Sequence, residues 1–360
     1  MVDTMALQHP FNRAARTARS APRPRTAPPA NASGPTADAS GLPADGEVLL
    51  DAPDDRLGPV LVAAAHGEYA PVSALLAGTR AHAEWEYRDR YARRLSAFAR
   101  ARVEWLERWY ADAPQDPDVL LLRAQLAVDR AWDSPARAEL LREVSSLITA
   151  AARATDRDPV PWRIALDHAR GTAAGHKYFG ELWEAALRRA PRHYGCHVAA
   201  LRYLATSWQG SYRECFDFAD RAAQDAPADS LLQALPSRAA LACFTGGAGP
   251  AVPEERLHAA ADRAIALSAR FPAATPWPAE IRNKLTYVLV GLERWQDALG
   301  QLRLIGPYAT SFPWDHLSED PLALFLKVRA DVVGRCPAGP GPGPRDPRSE
   351  RGGRVGSGDH

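Results

Sequence analysis

The sequence is poor in cysteine and lysine, and it contains no long hydrophobic run. Its four cysteines include no CxxC pair, which excludes a disulfide framework in a chain of 360 residues. Three lysines stand against 41 arginines, a bias that indicates a GC-rich genome and not a function. No stretch approaches the roughly 20 apolar residues of a membrane helix, and the Arg-rich start lacks the apolar segment of a signal peptide. We therefore expect a cytoplasmic protein that does not engage a membrane.

Signals for β-strands and for catalysis are also missing. The chain has no alternating run of Val, Ile and Thr and no Asn-Gly turn. It has no HExxH, GxSxG or SxxK motif, and segment 171–176 lacks the GK[ST] ending of a phosphate-binding loop, so we interpret it as a turn between helices. The net charge of +1 argues against a nucleic-acid binder. We expect a non-enzymatic protein without a cofactor or a bound metal.

Aromatic side chains are confined to the central part of the chain. Of the 29 aromatic residues, 28 lie between Tyr69 and Phe325. The two ends are rich in small residues, Pro and Arg, and segments without large apolar groups cannot bury enough surface to offset the entropy lost on ordering. We predict disordered tails at 1–45 and 335–360, and one domain of helical repeats at 46–334.

Apolar residues in the central part recur at helical spacing. One stripe contains Leu140, Val144 and Ile148, and another contains Leu285 and Leu292. We therefore predict seven helix pairs and a final helix. The pairs are expected at about 55–66 with 70–79, 83–99 with 102–112, 117–131 with 135–153, 160–170 with 176–190, 194–207 with 211–225, 229–244 with 253–270, and 278–292 with 295–305, and the final helix at about 320–333.

Local signals mark several of these helix ends. Ser134 and Asp320 each precede a proline, a pattern typical of a cap residue followed by the first helical position. Ser211 and Glu214 have the spacing of a capping box. Pro236 is expected to end or kink its helix, because its ring removes a helical hydrogen bond.

A repeat signal runs through the middle of the chain. Three times an alanine lies five residues before a proline, at Ala154/Pro159, Ala186/Pro191 and Ala222/Pro227. The prolines are 32 and 36 residues apart, which brackets the 34-residue period of a two-helix solenoid repeat.

The segment GSYRECFDFADRAAQDAP places Gly210, Tyr212, Cys215, Ala222 and Pro227 in one register. This pattern resembles the tetratricopeptide-repeat (TPR) superfamily, and the whole chain also resembles uncharacterised TPR-like proteins of high-GC bacteria. The resemblance implies an all-α fold, an alpha-solenoid of about seven antiparallel helix pairs with a C-terminal capping helix. It also places Tyr212 and Ala222 in the core.

A stack of this kind has a concave groove, which the resemblance implies is lined by the first helix of each pair. Arg and Asn on successive inner helices can hold the carboxylate and backbone of a peptide. The interpretation is a scaffold that binds a protein or peptide through this groove. The polar residues expected there are Arg123, Arg163, Asp167, Arg202, Arg282, Asn283 and Lys284.

A histidine cluster supports an alternative, a metal-assisted hydrolase centred on the His168/His193/His197 region. His193 and His197 are four residues apart, so on a helix they would face the same way and could share a metal. Packing at a repeat interface is the favoured interpretation, because the sequence offers no carboxylate base at this place. Asp167 is adjacent to His168 but points elsewhere on a helix, as a surface charge. A third ligand would have to come from His168, His176 or Cys215.

Two further patterns have structural interpretations. Glu84, Glu86, Arg88, Arg90 and Arg94 alternate in charge along one predicted helix, which is typical of a solvated face. The ten tryptophans are spread along the helices and are expected to pack between them.

Overall fold

The computed structural model describes residues 40–205, 210–246, 252–275 and 278–336. These residues form an all-α structure with fifteen α-helices and two strands of two residues each. The helices are α1 (Leu57–Ala65), α2 (Ala70–Ala81), α3 (Trp85–Ala101), α4 (Glu104–Asp112), α5 (Pro117–Trp132), α6 (Arg137–Ala154), α7 (Val160–Gly171), α8 (His176–Arg189), α9 (Tyr194–Tyr203), α10 (Tyr212–Gln224), α11 (Leu235–Thr245), α12 (Glu254–Ser268), α13 (Ala279–Gly291), α14 (Trp295–Ile305) and α15 (Pro321–Arg335), and the strands are β1 (Leu49–Leu50) and β2 (Tyr308–Ala309).

Cap residues explain where several helices begin. The side chains of Ser211 and Asp320 accept hydrogen bonds from the backbone N–H groups of Glu214 and Ala323, so both predicted caps are confirmed. The helix start predicted after Ser134 was wrong by two residues. The hydroxyl of Ser134 accepts a hydrogen bond from the N–H of Ala136, and α6 starts only at Arg137.

The helix predicted at 229–244 is interrupted near Pro236, and a new helix, α11, starts there. A 3-10 turn at Leu231–Ala234 precedes α11, and Pro236 lies in the first turn of α11. The missing N–H of a proline costs nothing there, because first-turn N–H groups have no partner within the helix. The segment 172–175 joins α7 to α8, so its interpretation as a turn is confirmed.

Contacts between helices follow the order of the chain. Helices α3, α5, α7 and α9 contact one another in succession, and α11 contacts both α9 and α13. The helices between them pack on their neighbours in sequence, most extensively α6 on α5 and α14 on α13. The interior contains large apolar groups from every part of the described chain, including Trp105, Trp109 and Trp314. No helix among the described residues is long and apolar enough to cross a bilayer.

The two ends of the described chain meet in a short parallel sheet, which the sequence did not predict. Leu49 pairs with Tyr308 and Leu50 with Ala309. The side chain of Arg303 donates to the carbonyl oxygen of Ser40 at 2.9 Å. Because these contacts span the chain from one end to the other, the first described segment lies beside α14 and β2.

The predicted tails fall largely outside the described residues. Of 1–45, the structure describes 40–45, in which Leu42 is buried and Pro43 accepts a hydrogen bond from Arg329. Of 335–360, it describes the last residue of α15 and Cys336. The prediction of disorder and the boundaries of the repeat domain therefore stay predictions.

The alanines and the tyrosine of the repeat pattern differ in burial. Ala186 is buried, whereas Ala154 is exposed. Tyr212 and Ala222 were predicted to be core residues, and that was wrong, since both are only half-buried. The buried small residues of α10 are instead Cys215, Ala219 and Ala223, which lie at helical spacing on the face toward α11.

Candidate functional site: a charged cavity

The described residues line a cavity of about 340 Å³ that is open to solvent on one side. Its wall is built from α3, α9, α11 and the start of α13, together with residues beside β1 and β2. The volume is at the small end of the range typical of ligand pockets. Ten of the lining side chains are charged types, namely Arg90, Arg93, Arg94, Arg202, Arg238, Asp51, Glu86, Asp89, Glu280 and Asp315.

Helix α3 supplies the largest share of these charges. Glu86, Asp89, Arg90 and Arg93 are spaced three and four residues apart, so they lie on one face of the helix, and that face lines the cavity. The interpretation of this segment as a solvated face is wrong for Arg88, which is fully buried on another side of α3. Glu86, Arg90 and Arg94 line the cavity and stay partly exposed there.

Arg88 holds a buried ion-pair network beneath the site. Its Nε donates to Asp158 at 2.6 Å, and its Nη2 donates to Asp118 at 2.6 Å. Its Nη1 donates to the carbonyl oxygen of Leu76 at 2.9 Å. All of its donating nitrogens thus have acceptors, which fixes α3 against α2, α5 and the start of α7.

Most charges on the cavity wall are paired. Arg93 and Arg163 both contact Asp89, at 3.1 and 2.7 Å. Burial alone would raise the pKa of Asp89, but the two guanidinium groups outweigh it and hold that pKa well below its usual range. Arg94 contacts Asp51 at 2.8 Å, and the hydroxyl of Ser311 donates to the same carboxylate.

Glu280 has two cationic partners. Lys284 contacts it at 3.2 Å and Arg238 at 3.1 Å. Burial opposes the ionised carboxylate, but Lys284 and Arg238 overcome this effect and lower the pKa of Glu280 to about 2. The carboxylate of Glu280 is therefore ionised throughout the physiological range.

Arg202 differs from the other arginines of the wall. Its guanidinium makes no hydrogen bond with any residue that the structure describes, and its nearest carboxylate is Asp167 at 4.0 Å. About a third of its side chain (32%) is exposed. Burial, followed by the repulsion of Arg238, lowers the pKa of Arg202 to about 9. The charged form of Arg202 is thus poorly compensated by the protein itself.

Glu86 is the unusual carboxyl group of the cavity. Its Oε1 accepts the backbone N–H of Tyr194 at 2.7 Å. Its Oε2 lies 3.8 Å from Nε2 of His193, beyond hydrogen-bond distance. Burial raises the pKa of Glu86 to about 8, and the neighbouring carboxylate of Asp89 acts in the same direction. Glu86 is therefore mainly protonated at neutral pH.

The start of α9 brings His193 and Gly195 against α3. Nδ1 of His193 accepts the N–H of Cys196 and caps the helix, while its buried Nε2 has no hydrogen-bond partner among the described residues. Burial lowers the pKa of His193 to about 4, so this imidazole is neutral. A Cβ at position 195 would collide with a carboxylate oxygen of Asp89, so any larger residue there would have to displace this carboxylate from its contacts with Arg93 and Arg163.

Three of the seven predicted groove residues lie at or near the cavity. Arg202 lines it. Arg163 is buried behind the wall, where it binds Asp89 and Gln125. Asp167 is also buried, so its interpretation as a surface charge was wrong. It is shared among the guanidinium groups of Arg163, Arg170 and Arg202 at 3.5, 3.7 and 4.0 Å.

The other four predicted groove residues are engaged in internal contacts. Arg123 lies over the ring of Tyr110, with its guanidinium carbon 3.4 Å from the ring centroid. Asn283 is buried and accepts the indole N–H of Trp314 at 2.8 Å. Lys284 is buried and donates to the hydroxyl of Tyr194 at 2.9 Å, beside its ion pair with Glu280. Arg282 is fully buried and donates to backbone carbonyls at and just after the end of α12.

The three histidines of the alternative interpretation bind separate partners. Nε2 of His168 lies 2.6 Å from the carbonyl oxygen of Leu141. Nδ1 of His197 lies 2.9 Å from the carbonyl oxygen of His193, and its ring packs edge-on against Trp183. Within 40–205, 210–246, 252–275 and 278–336, no group of three His, Cys, Asp or Glu side chains is arranged to hold a metal ion.

Comparison of the chain with protein-family models, with curated proteins and with solved structures found no match. Sequence reasoning singled out Arg202 and treated Glu86 as a surface charge. The one signal that could have found the wall is the spacing of Glu86, Asp89, Arg90 and Arg93, which puts four charges on a single helix face.

Proposed function

We propose that this chain is a non-enzymatic, TPR-like binding protein whose central cavity takes an acidic segment of a protein or peptide. The fold we infer is a solenoid of about seven antiparallel helix pairs with α15 as its cap. The succession of contacts from α3 through α5, α7 and α9, with each intervening helix packed on its sequence neighbours, supports this arrangement. So does the agreement of the helix positions with the predicted pairs.

The observation that carries the proposal is the Arg202 guanidinium. It lines the cavity, and no described residue accepts a hydrogen bond from it. A guanidinium offers five N–H donors in a planar fork that suits a carboxylate. Arg93 and Arg238, whose charges act on Arg202, increase the positive potential at this point. An acidic ligand would supply the acceptors and the negative charge that the wall lacks.

A peptide array tests the proposal. Decapeptides that span acidic, neutral and basic compositions would be probed with the full chain and with Arg202→Gln, and hits would be measured by calorimetry. Arg213→Gln is the matched control, because Arg213 has a side chain that is 85% exposed on the neighbouring helix α10. We expect acidic peptides to bind wild type and Arg213→Gln with one site per chain, and to lose at least tenfold in affinity with Arg202→Gln.

Two results would contradict this function. Acidic peptides that bind wild type and Arg202→Gln equally would place the site elsewhere. An array without a single hit would remove the basis for a peptide ligand. Catalysis on the histidines has no comparable support, because His168, His193 and His197 each contact a different group.

A further inference from the structure

The charges of the cavity define its ligand more narrowly than the proposed function does. The wall carries five arginines. Arg93, Arg94, Arg238 and Arg90 face carboxylates of their own, Asp89, Asp51, Glu280 and Asp54, at 3.1, 2.8, 3.1 and 3.9 Å. Arg202 lies 4.0 Å from Asp167, a carboxylate that it shares with Arg163 and Arg170 at 3.5 and 3.7 Å, and no described residue accepts a hydrogen bond from it. One carboxylate for three guanidinium groups leaves positive charge at Arg202 to be matched from outside the protein.

The protonation state of Glu86 determines whether the cavity wall carries a net positive charge. It lines the same cavity as Arg202, its Oε1 is held by the N–H of Tyr194, and no described arginine or lysine lies within ion-pair distance of it. If Glu86 carries its proton, the wall has five guanidinium groups against four carboxylates. If Glu86 ionises, the numbers are equal and the attraction for an anion is lost.

We infer that the cavity binds a single monoanionic group, a carboxylate, on the guanidinium of Arg202, and that the proton held by Glu86 is part of this site. A monoanion matches the surplus of one charge, whereas a dianion would leave a net negative charge in a partly buried space. The neutral carboxyl of Glu86 also adds a hydrogen-bond donor to the wall. The inference rests on the proposed function only in that the cavity is a binding site.

The surroundings of Glu86 favour the neutral form over the pH range of cells. On α3 it faces Asp89, which disfavours a second negative charge, and Arg93, which is already paired with Asp89. From the start of α9 it faces His193 and Cys196, both of which are uncharged at neutral pH because burial lowers the pKa of one and raises that of the other. The pKa of Glu86 at about 8 follows from this arrangement.

The affinity of the cavity for an anion depends on pH through Glu86. Below the pKa of Glu86 the carboxyl is neutral and an anion is attracted. Above it the carboxylate repels the anion, so affinity falls as the pH rises. By linkage, a bound anion raises the pKa of Glu86 further.

Acetate is a suitable probe, because it is fully ionised above about pH 6 and so contributes no titration of its own. The full chain would be melted in increasing sodium acetate at about pH 7 and about pH 8.5, with sodium chloride at equal ionic strength as reference, and the dissociation constant taken from the shift in Tm. Arg202, with a pKa of about 9, keeps about three quarters of its charge at the upper pH, which alone weakens acetate binding about 1.3-fold. Loss of the Glu86 proton, with a pKa of about 8, adds about fourfold, so wild type should bind acetate about fivefold more weakly at the higher pH.

Variants separate the two residues. Glu86→Gln keeps a neutral side chain of the same shape, so between the two pH values it should lose only the factor of about 1.3 that comes from Arg202. Arg202→Gln should show no stabilisation by acetate beyond that by chloride at either pH, and Arg213→Gln should behave as wild type. Equal acetate affinity of wild type at both pH values would overturn the inference. So would a fivefold loss that persists in Glu86→Gln, or acetate binding by Arg202→Gln.

The acetate measurement and the peptide array can fail independently. If acetate behaves as expected and no peptide binds, the cavity takes a small carboxylate and the proposed function is wrong. If acidic peptides bind through Arg202 with no effect of pH between about 7 and about 8.5, the proposed function stands and the role of Glu86 is wrong.

Discussion

Two buried arginine sites in this molecule differ in what surrounds the guanidinium. At the junction of α12, α13 and α14, Arg282 donates to the carbonyl oxygens of Ser268, Phe271, Pro272 and Leu304, at distances from 2.7 to 3.2 Å. On the cavity wall, Arg202 makes no hydrogen bond with a described residue. Burial lowers the pKa of both arginines, so desolvation alone does not distinguish them.

The difference lies in the hydrogen bonds, and it separates a structural arginine from a binding one. Arg282 has no carboxylate partner among the described residues, yet its N–H groups satisfy carbonyls that end one helix and precede another. Removing it would leave those acceptors unpaired. Removing Arg202 would break no hydrogen bond, and Asp167 would keep Arg163 and Arg170 as its cationic partners. A site that is unsatisfied without a ligand is where we expect the ligand to bind.

The largest effect is expected at Arg88, the most strongly paired structural arginine. Arg88→Met would leave the buried carboxylate of Asp158 without a cationic partner and that of Asp118 with Arg80 alone. Loss of one partner from a buried ion pair costs about 3–5 kcal/mol. Urea unfolding should show this decrease in the free energy of unfolding, and Arg213→Met, an exposed control, should change it by less than about 0.5 kcal/mol. A small effect at Arg88 would mean that water reaches these carboxylates.

Replacing Arg282 and Arg202 each by Met tests whether the first is structural and the second is not. Arg282→Met should lower the free energy of unfolding by about 2–4 kcal/mol, because several buried carbonyl oxygens lose their donors. Arg202→Met should leave it unchanged within about 0.5 kcal/mol, or raise it, because a poorly compensated charge is removed. Equal destabilisation by the two variants, measured in urea, would show that Arg202 has a structural role and would weaken the proposed site.

The helices were predictable from the sequence because each helix is encoded locally. The apolar stripe through Leu140, Val144 and Ile148 lies within α6, and the cap at Ser211 starts α10 one residue later. The burial of Tyr212 and Ala222 was predicted wrongly. A repeat motif indicates where these residues lie along the helix, but it does not indicate which neighbouring residues cover them. The sheet between β1 and β2 has no local signal, since two residues in each strand show no alternation.

The cavity could be predicted only in part, because its wall comes from distant parts of the chain. Asp51 and Ser311, which are hydrogen-bonded on its rim, are 260 residues apart in sequence. A charged face on one helix is typical of solvent exposure when that helix is viewed alone. For α3 the face becomes a cavity wall only because α9, α11 and α13 lie opposite to it. Burial then changes the protonation of Glu86, which no motif indicates.

The pH dependence of stability tests whether Glu86 in the cavity holds a proton at neutral pH. The pKa of Glu86 in the folded protein, about 8, lies above its ordinary value of 4.5. The folded state therefore holds a proton that the unfolded state has lost, and the free energy of unfolding falls as the pH rises between these two values. Glu86→Gln lacks this proton, so its stability relative to wild type should increase over the same range.

Between pH 5 and pH 7 the stability of Glu86→Gln relative to wild type should increase by about 2 kcal/mol. This is less than the full linkage value, because the Glu86 side chain is 29% exposed. Urea melts of both proteins at pH 5, 7 and 9 measure it. The difference in the free energy of unfolding between Glu86→Gln and wild type should be small at pH 5, and it should stop increasing above pH 8. A constant difference across the range would show that Glu86 ionises normally, and the charge surplus in the cavity would then disappear.

The smallest effects are expected on α10, away from both arginine sites. Because Tyr212 is half-buried, Tyr212→Ala should cost about 1–2 kcal/mol, below the 3–5 kcal/mol of a fully buried ring. Ala222 lines an open groove beside Phe218, so Ala222→Leu has room for its side chain and should cost less than about 1 kcal/mol. Ala219, three residues earlier and fully buried, is the matched control, and Ala219→Leu should cost about 1–3 kcal/mol in the same thermal melts. If Ala222→Leu proves as costly as Ala219→Leu, the repeat register read from the sequence is right, and α10 packs with a face that includes Ala222.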